Sequence, residues 1–208
     1  NNYLQQNFKW GTCFRDALTE FGLGSHSPTI GQWEWGWQYL EHSSISPGKV
    51  SIANDCSVPQ NMSVNEHGLG VASIMIADSD GMTGTCPNCN LDFMVFGNGE
   101  AGTLDLFGML EYAVENDLRV VNLSLSTRST TLSTADMAPQ CNAITEAYNQ
   151  GTLLVVSAGN DYLDTNTPGF GQLYNSCNDV LAVADASHHF NYDNSCTGNG
   201  GTGSCDNL

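Results

Sequence analysis

Three short segments of the chain have residue types and spacings that suit acid–base catalysis, stabilisation of an oxyanion, or the binding of an extended peptide. In residues 66–74 (EHGLGVASI), His67 stands where a loop becomes a predicted helix, and a histidine fixed at a rigid helix start can act as a general base. In residues 153–161 (LLVVSAGND), Asn160 follows an apolar run, and its amide N–H can stabilise a developing oxyanion. Residues 119–126 (RVVNLSLS) turn polar at their end, where exposed backbone can pair with an extended peptide.

Each segment also has a purely structural reading. A lone histidine is commonly a surface residue or one whose hydrogen bonds are satisfied locally. Residues 159–161 (GND) have the composition of an ordinary turn. Residues 119–126 fit a core strand that runs into a loop rich in serine and threonine. Taken one at a time, the segments leave these alternatives open.

The elements that would position these residues are short apolar strands alternating with segments of helical period. The predicted strands span residues 29–33, 50–53, 91–96, 120–125, 153–157 and 180–183, and the predicted helices span residues 67–77, 104–116 and 137–150. This alternation predicts an α/β fold with a parallel sheet and helices on both faces. Gly68, Gly70 and Ala72 are expected to let the first helix pack close to the sheet. In such sheets, ligands bind beyond the carboxyl ends of the strands, which is where the three segments lie.

Composition restricts the class of protein. The chain has 208 residues, of which 40% are hydrophobic, and a formal net charge of −17. That length allows one domain with a sizeable core. A surface this negative repels phosphate backbones and anionic lipid, so we expect no nucleic-acid partner and no membrane partner. No apolar run is long enough for a transmembrane helix.

The chain contains eight cysteines. An even number in a lysine-poor chain fits a disulfide-bonded, secreted protein, and reduced buried thiols are the alternative. For Cys86 and Cys89 (CPNC) we expect a small structural disulfide rather than a redox motif or half of a zinc site. A bridge between Cys196 and Cys205 would restrain the glycine-rich loop between them. Spacing does not determine the remaining pairs.

Five segments, taken in order, resemble the subtilisin-like serine peptidases (subtilases). Residues 67–72 (HGLGVA) resemble the family's HGTHVA, and residues 84–91 (GTCPNCNL) resemble GVAPNAxL. The other three are similar to VINMSLG, VVAAAGNE and SVIAVGA; they are residues 121–126 (VNLSLS), 155–161 (VVSAGND) and 179–184 (DVLAVA). The resemblance runs from about residue 28 to the end. It implies a subtilase-like catalytic domain over residues 28–208, and residues 1–27 are interpreted as an amino-terminal extension packed on it.

The resemblance implies a three-layer subtilisin-like fold and a serine endopeptidase that hydrolyses peptide or protein substrates through an acyl-enzyme. It assigns the general base to His67 and the oxyanion-hole side chain to Asn160. It also assigns two walls of a substrate cleft, which are Ser124, Leu125 and Ser126 on one side and Ser157, Ala158 and Gly159 on the other. No cofactor is required. Structural calcium is common in the family, and residues 78–81 (DSDG) resemble the start of a calcium loop, although a solvated turn explains them as well.

Two departures from the family pattern bear on activity. Residues 30–37 (IGQWEWGW) replace an IDTGI-like run, so Glu34 stands where the family has the aspartate that orients the histidine. The triad needs a buried acceptor for the imidazolium rather than aspartate in particular. No GTSxAxP segment with the nucleophilic serine occurs in the chain. We therefore expect a carboxyl-terminal fragment of the same precursor, or a missing segment, to complete the fold and supply the serine. The alternative is a catalytically inactive subtilase-like domain with a binding or structural role.

Overall fold

The computed structural model describes residues 27–34, 42–53, 67–79, 81–94, 105–125, 134–158, 174 and 177–183. Six strands in these residues form one sheet in the order β2-β3-β1-β4-β5-β6, and every neighbouring pair is parallel. The strands are β1 (Thr29–Trp33), β2 (Val50–Ile52), β3 (Asn90–Met94), β4 (Val120–Leu123), β5 (Leu153–Ser157) and β6 (Val180–Val183). The six predicted strands are confirmed: β1, β5 and β6 have the predicted bounds, and the ends of the other three differ by one or two residues.

Three helices flank the sheet within the described residues: α1 (His67–Ile76), α2 (Leu106–Glu115) and α3 (Thr134–Asn149). α2 begins after Asp105, whose Oδ1 accepts a hydrogen bond from the Gly108 N–H at 3.0 Å and so caps the helix. α3 begins three residues before the predicted start at Met137 and contains Pro139. None of the described helices is long and apolar enough to span a membrane.

The two faces of the sheet carry separate apolar cores. α2 and α3 pack on the face that presents Trp33 and Val121. α1 packs on the opposite face, against Leu91 and Phe93. The helices therefore cover both faces of the parallel sheet, which confirms the predicted three-layer α/β architecture.

Trp33 occupies the core beneath α2 and α3. Its side chain is fully buried and its ring stacks on Tyr174, with centroids 6.4 Å apart and planes inclined by 24°. Burial, together with the charge of Asp105, raises the pKa of Tyr174 to about 12. Because successive residues of a strand point to opposite faces, Glu34 directs its side chain to the α1 face. Trp33 and Glu34 therefore lie on opposite faces of the sheet.

The carboxyl end of α1 is anchored by a loop and a lysine. The backbone N–H groups of Thr85 and Cys86 donate to the carbonyl oxygens of Ile74 and Met75 at 2.9 and 2.7 Å. A Cβ on Gly84 would lie 2.6 Å from Met75 backbone atoms, so only glycine allows this approach.

Lys49 adds a second connection at the same end of α1. Its Nζ donates to the carbonyl oxygens of Ile76 at 2.7 Å and Pro87 at 2.6 Å. The ammonium thus satisfies a carbonyl at the helix terminus, where the helix dipole is negative. α1 is held firmly to the sheet at the end remote from His67.

Two disulfides lie within the described residues. The Cys86–Cys89 bridge confirms the predicted structural disulfide. The Cys141–Cys177 bridge, which spacing did not determine, ties α3 to the turn before β6. Residues 1–26, which comprise nearly all of the predicted extension, and the predicted Cys196–Cys205 bridge lie outside the described residues.

Candidate active site

Glu34 directly follows β1, the strand that lies between β3 and β4 in the sheet. Its N–H donates to the Met94 carbonyl at 3.0 Å, so the backbone continues the strand pairing for one more residue. Its side chain is 1% exposed. Glu34 therefore places a buried carboxyl group at the carboxyl ends of the strands.

His67 is the first residue of α1, as predicted. Gly68 and Ala72 are buried against the sheet and allow the helix to approach it closely. The expectation for Gly70 is wrong, because Gly70 is exposed and a Cβ there would meet nothing within 4 Å. The helix start therefore owes its close packing to two small residues rather than three.

The side chains of Glu34 and His67 meet at the carboxyl ends of the strands. His67 Nδ1 lies 2.8 Å from Glu34 Oε2, within hydrogen-bond distance, and the His67 side chain is 43% exposed. A carboxylate can only accept a hydrogen bond, so Nδ1 carries the imidazole proton and donates a hydrogen bond to Glu34. The lone pair of neutral His67 is then on Nε2. This tautomer is the one that a general base needs in order to take a proton from a neighbouring group.

The structure brings together part of the predicted substrate cleft. β4 and β5 are paired, so Ser124 and Leu125 after β4 lie next to Ser157 and Ala158 at the end of β5. Ser157 Oγ is 3.5 Å from the Leu125 carbonyl oxygen, a long contact for a hydrogen bond. These four residues and Glu34 lie at the same end of the sheet, where the strands have their carboxyl ends.

Three predicted site residues lie outside the described residues: Ser126, Gly159 and Asn160. β5 ends at Ser157, so the order of strand, small residues and amide agrees with the expectation as far as Ala158. The role of Asn160 stays a prediction.

Sequence reasoning missed Gln32, which lies in β1 two residues before Glu34. Its side chain is fully buried, and its Nε2 donates to the Gly68 carbonyl oxygen at 2.9 Å. An amide within a strand otherwise covered on both faces was the signal that could have identified it.

Asp78, in the segment that resembles a calcium loop, serves the protein chain itself. Its Oδ1 accepts from the Ser46 N–H at 2.8 Å and its Oδ2 lies 3.2 Å from Lys49 Nζ. An ammonium group therefore occupies the approach that a cation would use, which favours a structural turn over a calcium ligand at Asp78. Asp80 lies outside the described residues, and within those residues no group of three or more His, Cys, Asp or Glu could hold a metal ion.

Comparison with known proteins identifies the family of this chain. The model of the Subtilase family matches residues 41–202, which include His67 and begin after Glu34. The chain therefore belongs to the subtilase family.

Relatives that share 26–34% sequence identity with this chain are named as proteases. A thermophilic serine proteinase from Bacillus sp. (strain AK1) is 34% identical over 173 residues, which cover 77% of this chain and 40% of that protein. Thermitase from Thermoactinomyces vulgaris is 26% identical over 187 residues, covering 87% of this chain and 58% of thermitase. The chain thus spans about half the length of these two relatives.

Solved structures share the fold at low sequence identity. The prenylagaramide maturation protease PagA matches with a TM-score of 0.62 at 22% identity, over 84% of this chain and 59% of PagA. The epidermin leader peptide processing serine protease EpiP from Staphylococcus aureus matches with a TM-score of 0.62 at 16% identity, over 82% of this chain and 49% of EpiP. These matches support the subtilisin-like α/β fold.

Proposed function

We propose that this chain is the larger, amino-terminal portion of a serine endopeptidase that hydrolyses peptide bonds through an acyl-enzyme. The observation that carries the proposal is the bond of 2.8 Å between a half-exposed imidazole, His67, and a buried carboxyl group, Glu34. Burial of the acceptor and exposure of the base are what the triad requires, because the base must reach substrate while the acid only orients it.

In the proposed reaction, a serine hydroxyl attacks the peptide carbonyl carbon and His67 Nε2 takes its proton. The resulting imidazolium is stabilised by Glu34. Asn160 donates to the oxyanion, and the same imidazolium then gives its proton to the leaving amine. Water repeats the sequence on the acyl-enzyme and regenerates the serine. Backbone pairing with Ser124–Ser126 and contacts with Ser157–Gly159 would hold the substrate in the cleft.

We further propose that the serine is supplied from beyond these residues, by a carboxyl-terminal fragment of the same precursor. The sheet face that carries α1 supports this. Leu181 and Val183 on that face of β6 are 51% and 50% exposed, whereas Leu154 and Val156 on the opposite face of β5 are at most 3% exposed. Exposed apolar side chains in such a row favour coverage by a further element. An element on this face would lie on the same side of the sheet as His67.

Secretion fits the proposed enzyme. Two disulfides among the described residues favour an oxidising compartment. The net charge of −17 agrees with a peptide or protein substrate rather than a nucleic acid, because a negative surface repels phosphate groups.

A fluorophosphonate probe tests the activity. We expect the native material to contain a second polypeptide bearing a GTSxAxP segment, visible on a denaturing gel and by intact mass, and to be labelled on its serine. His67→Ala should abolish labelling, and Thr145→Val, remote from the site, should not change it. Native material that remains unlabelled would favour the inactive, subtilase-like scaffold. A single folded species of 22 kDa without a second fragment would overturn the two-chain proposal.

A further inference from the structure

Gln32 is a buried polar residue that the proposed mechanism does not use. It lies within β1 and is fully buried, yet its Oε1 has no hydrogen-bond partner among the described residues. A buried amide with an unsatisfied oxygen costs free energy, and an apolar residue would suit a covered strand better. Such a cost calls for an explanation, and functional sites are where proteins retain unfavourable residues.

The partner of Gln32 is the helix start that bears the base. Gln32 Nε2 donates to the carbonyl oxygen of Gly68, the residue after His67, at 2.9 Å. Gln32 and Glu34 are two residues apart on a strand, so both side chains point to the α1 face. Two adjacent residues of α1 are therefore hydrogen-bonded to side chains of β1 and of the residue that follows it, since Gln32 bonds Gly68 and Glu34 bonds His67.

We propose that Gln32 is a positioning residue that fixes the orientation of the His67 imidazole toward Glu34. A single bond between two elements sets a distance but allows the helix start to pivot. Two hydrogen bonds to neighbouring residues fix the rotation of the helix start as well. The far end of α1 is held separately by Lys49 and the loop at residues 84–86, so Gln32 acts on the first turn alone. The catalytic consequence of this inference rests on the proposed function, whereas its structural content does not.

Replacement of the amide separates positioning from stability. Gln32→Met keeps the length of the side chain, removes the N–H donor and also removes the unsatisfied oxygen. We expect the thermal midpoint to stay within about 2 °C of the wild type or to rise, because the lost bond and the removed penalty offset each other. In an assay of peptide hydrolysis, kcat/KM should fall about 10-fold with KM nearly unchanged, since a small misplacement of a catalytic group is costly.

The decisive measurement is the tautomer of His67, read from nitrogen NMR of the native protein labelled with ¹⁵N-histidine, with any co-purifying chain retained. In the wild type we expect the pattern of a protonated Nδ1 and an unprotonated Nε2. In Gln32→Met the two resonances should move toward each other as the tautomers exchange. Thr145→Val, which removes a side-chain hydrogen bond of 2.8 Å to Asp179 far from the site, should leave the His67 pattern unchanged.

Gln32→Val serves as the second variant, because valine suits a buried strand. The wild-type tautomer pattern in a folded Gln32 variant would overturn the proposal. Failure of both variants to fold would also overturn it, since Gln32 would then be a structural residue. Absence of fluorophosphonate labelling in the wild type would refute the proposed function while leaving the tautomer test intact.

Discussion

His67 and Glu34 are 33 residues apart in the chain, yet Nδ1 of one lies 2.8 Å from Oε2 of the other. The side chain of Glu34 is 1% exposed and that of His67 is 43% exposed. The buried carboxyl group and the half-exposed imidazole therefore have the geometry that the proposed mechanism requires of its acid and base.

Glu34→Gln tests whether the carboxylate sets the tautomer. The amide can donate to Nδ1, which would place the imidazole proton on Nε2 and remove the lone pair needed for general-base catalysis. We expect kcat/KM of the assembled enzyme to fall by about 10²–10⁴-fold with little change in the thermal midpoint. Steady-state kinetics on a peptide substrate would check this, and activity within a few-fold of the wild type would remove Glu34 from the mechanism.

Glu34→Asp is the matched control, because it keeps the charge and shortens the side chain. The carboxylate would withdraw by about 1.5 Å, the length of one carbon–carbon bond, which breaks the hydrogen bond unless the backbone moves. We expect a loss of about 10-fold, smaller than that of Glu34→Gln. Full activity in this variant would mean that the backbone adjusts to either acid.

Lys49→Met should destabilise the protein because one ammonium group serves three acceptors. Its Nζ donates to the carbonyl oxygens of Ile76 and Pro87, forms an ion pair with Asp78 at 3.2 Å, and belongs to a side chain that is only 12% exposed. Removal leaves partly buried oxygens without their donor, so we expect the free energy of unfolding to fall by about 2 kcal/mol in urea titrations.

Arg119→Met provides the comparison for Lys49→Met. Arg119 Nε is 3.1 Å from Asp117 Oδ1, but the two side chains are 67% and 79% exposed. We expect a change below about 0.5 kcal/mol. Equal losses in the two variants would contradict the anchoring role of Lys49.

Acid stability should depend on Asp78. Burial alone would raise its pKa, but the hydrogen bond from the Ser46 backbone and the charge of Lys49 outweigh burial and hold the pKa below its ordinary value of 3.8. The folded protein therefore binds fewer protons than the unfolded chain in this range. The stability that Asp78 contributes is present above about pH 4 and is lost as the pH falls through the lowered pKa.

Urea unfolding of the wild type and Asp78→Asn between pH 2 and pH 6 would measure this effect. The wild type should be more stable at pH 6, and the difference should shrink on acidification. In a Lys49→Met background the dependence should be shallower, because one of the groups that lower the pKa is gone. A difference that stays constant with pH would show that the ionisation of Asp78 does not contribute to stability.

The elements were predictable because their signals are local. The continuous apolar run of β5 and the start of α1 at His67 follow from neighbouring residues, and the structure confirms both. The meeting of His67 and Glu34 was implied only by the family resemblance, since no periodicity relates residues on different elements. The sheet order accounts for this meeting of distant residues, because it places β1 next to β4, and β4 next to β5, so that the carboxyl ends of these three strands lie together.

The contacts that secure α1 were not predictable in this way. Gln32 reaches Gly68 across 36 residues, and Lys49 reaches Pro87 across 38. In each case the partner is a backbone carbonyl. Every residue has one, so the sequence does not indicate which carbonyl accepts the hydrogen bond. The polar residue in a covered strand was a visible anomaly, but its partner depends on how closely the helix packs.

The two described disulfides should differ in their contribution to stability. Cys141–Cys177 closes a loop with a sequence separation of 36, whereas Cys86–Cys89 closes one with a separation of 3. On the chain-entropy model, the longer loop removes more conformations from the unfolded state, so its loss should cost about 4 kcal/mol against about 2 kcal/mol for the shorter. Cys141→Ala/Cys177→Ala should therefore unfold at lower urea concentration than Cys86→Ala/Cys89→Ala. A reversed order would show that the short bridge acts mainly in the folded state, by holding the loop that receives α1.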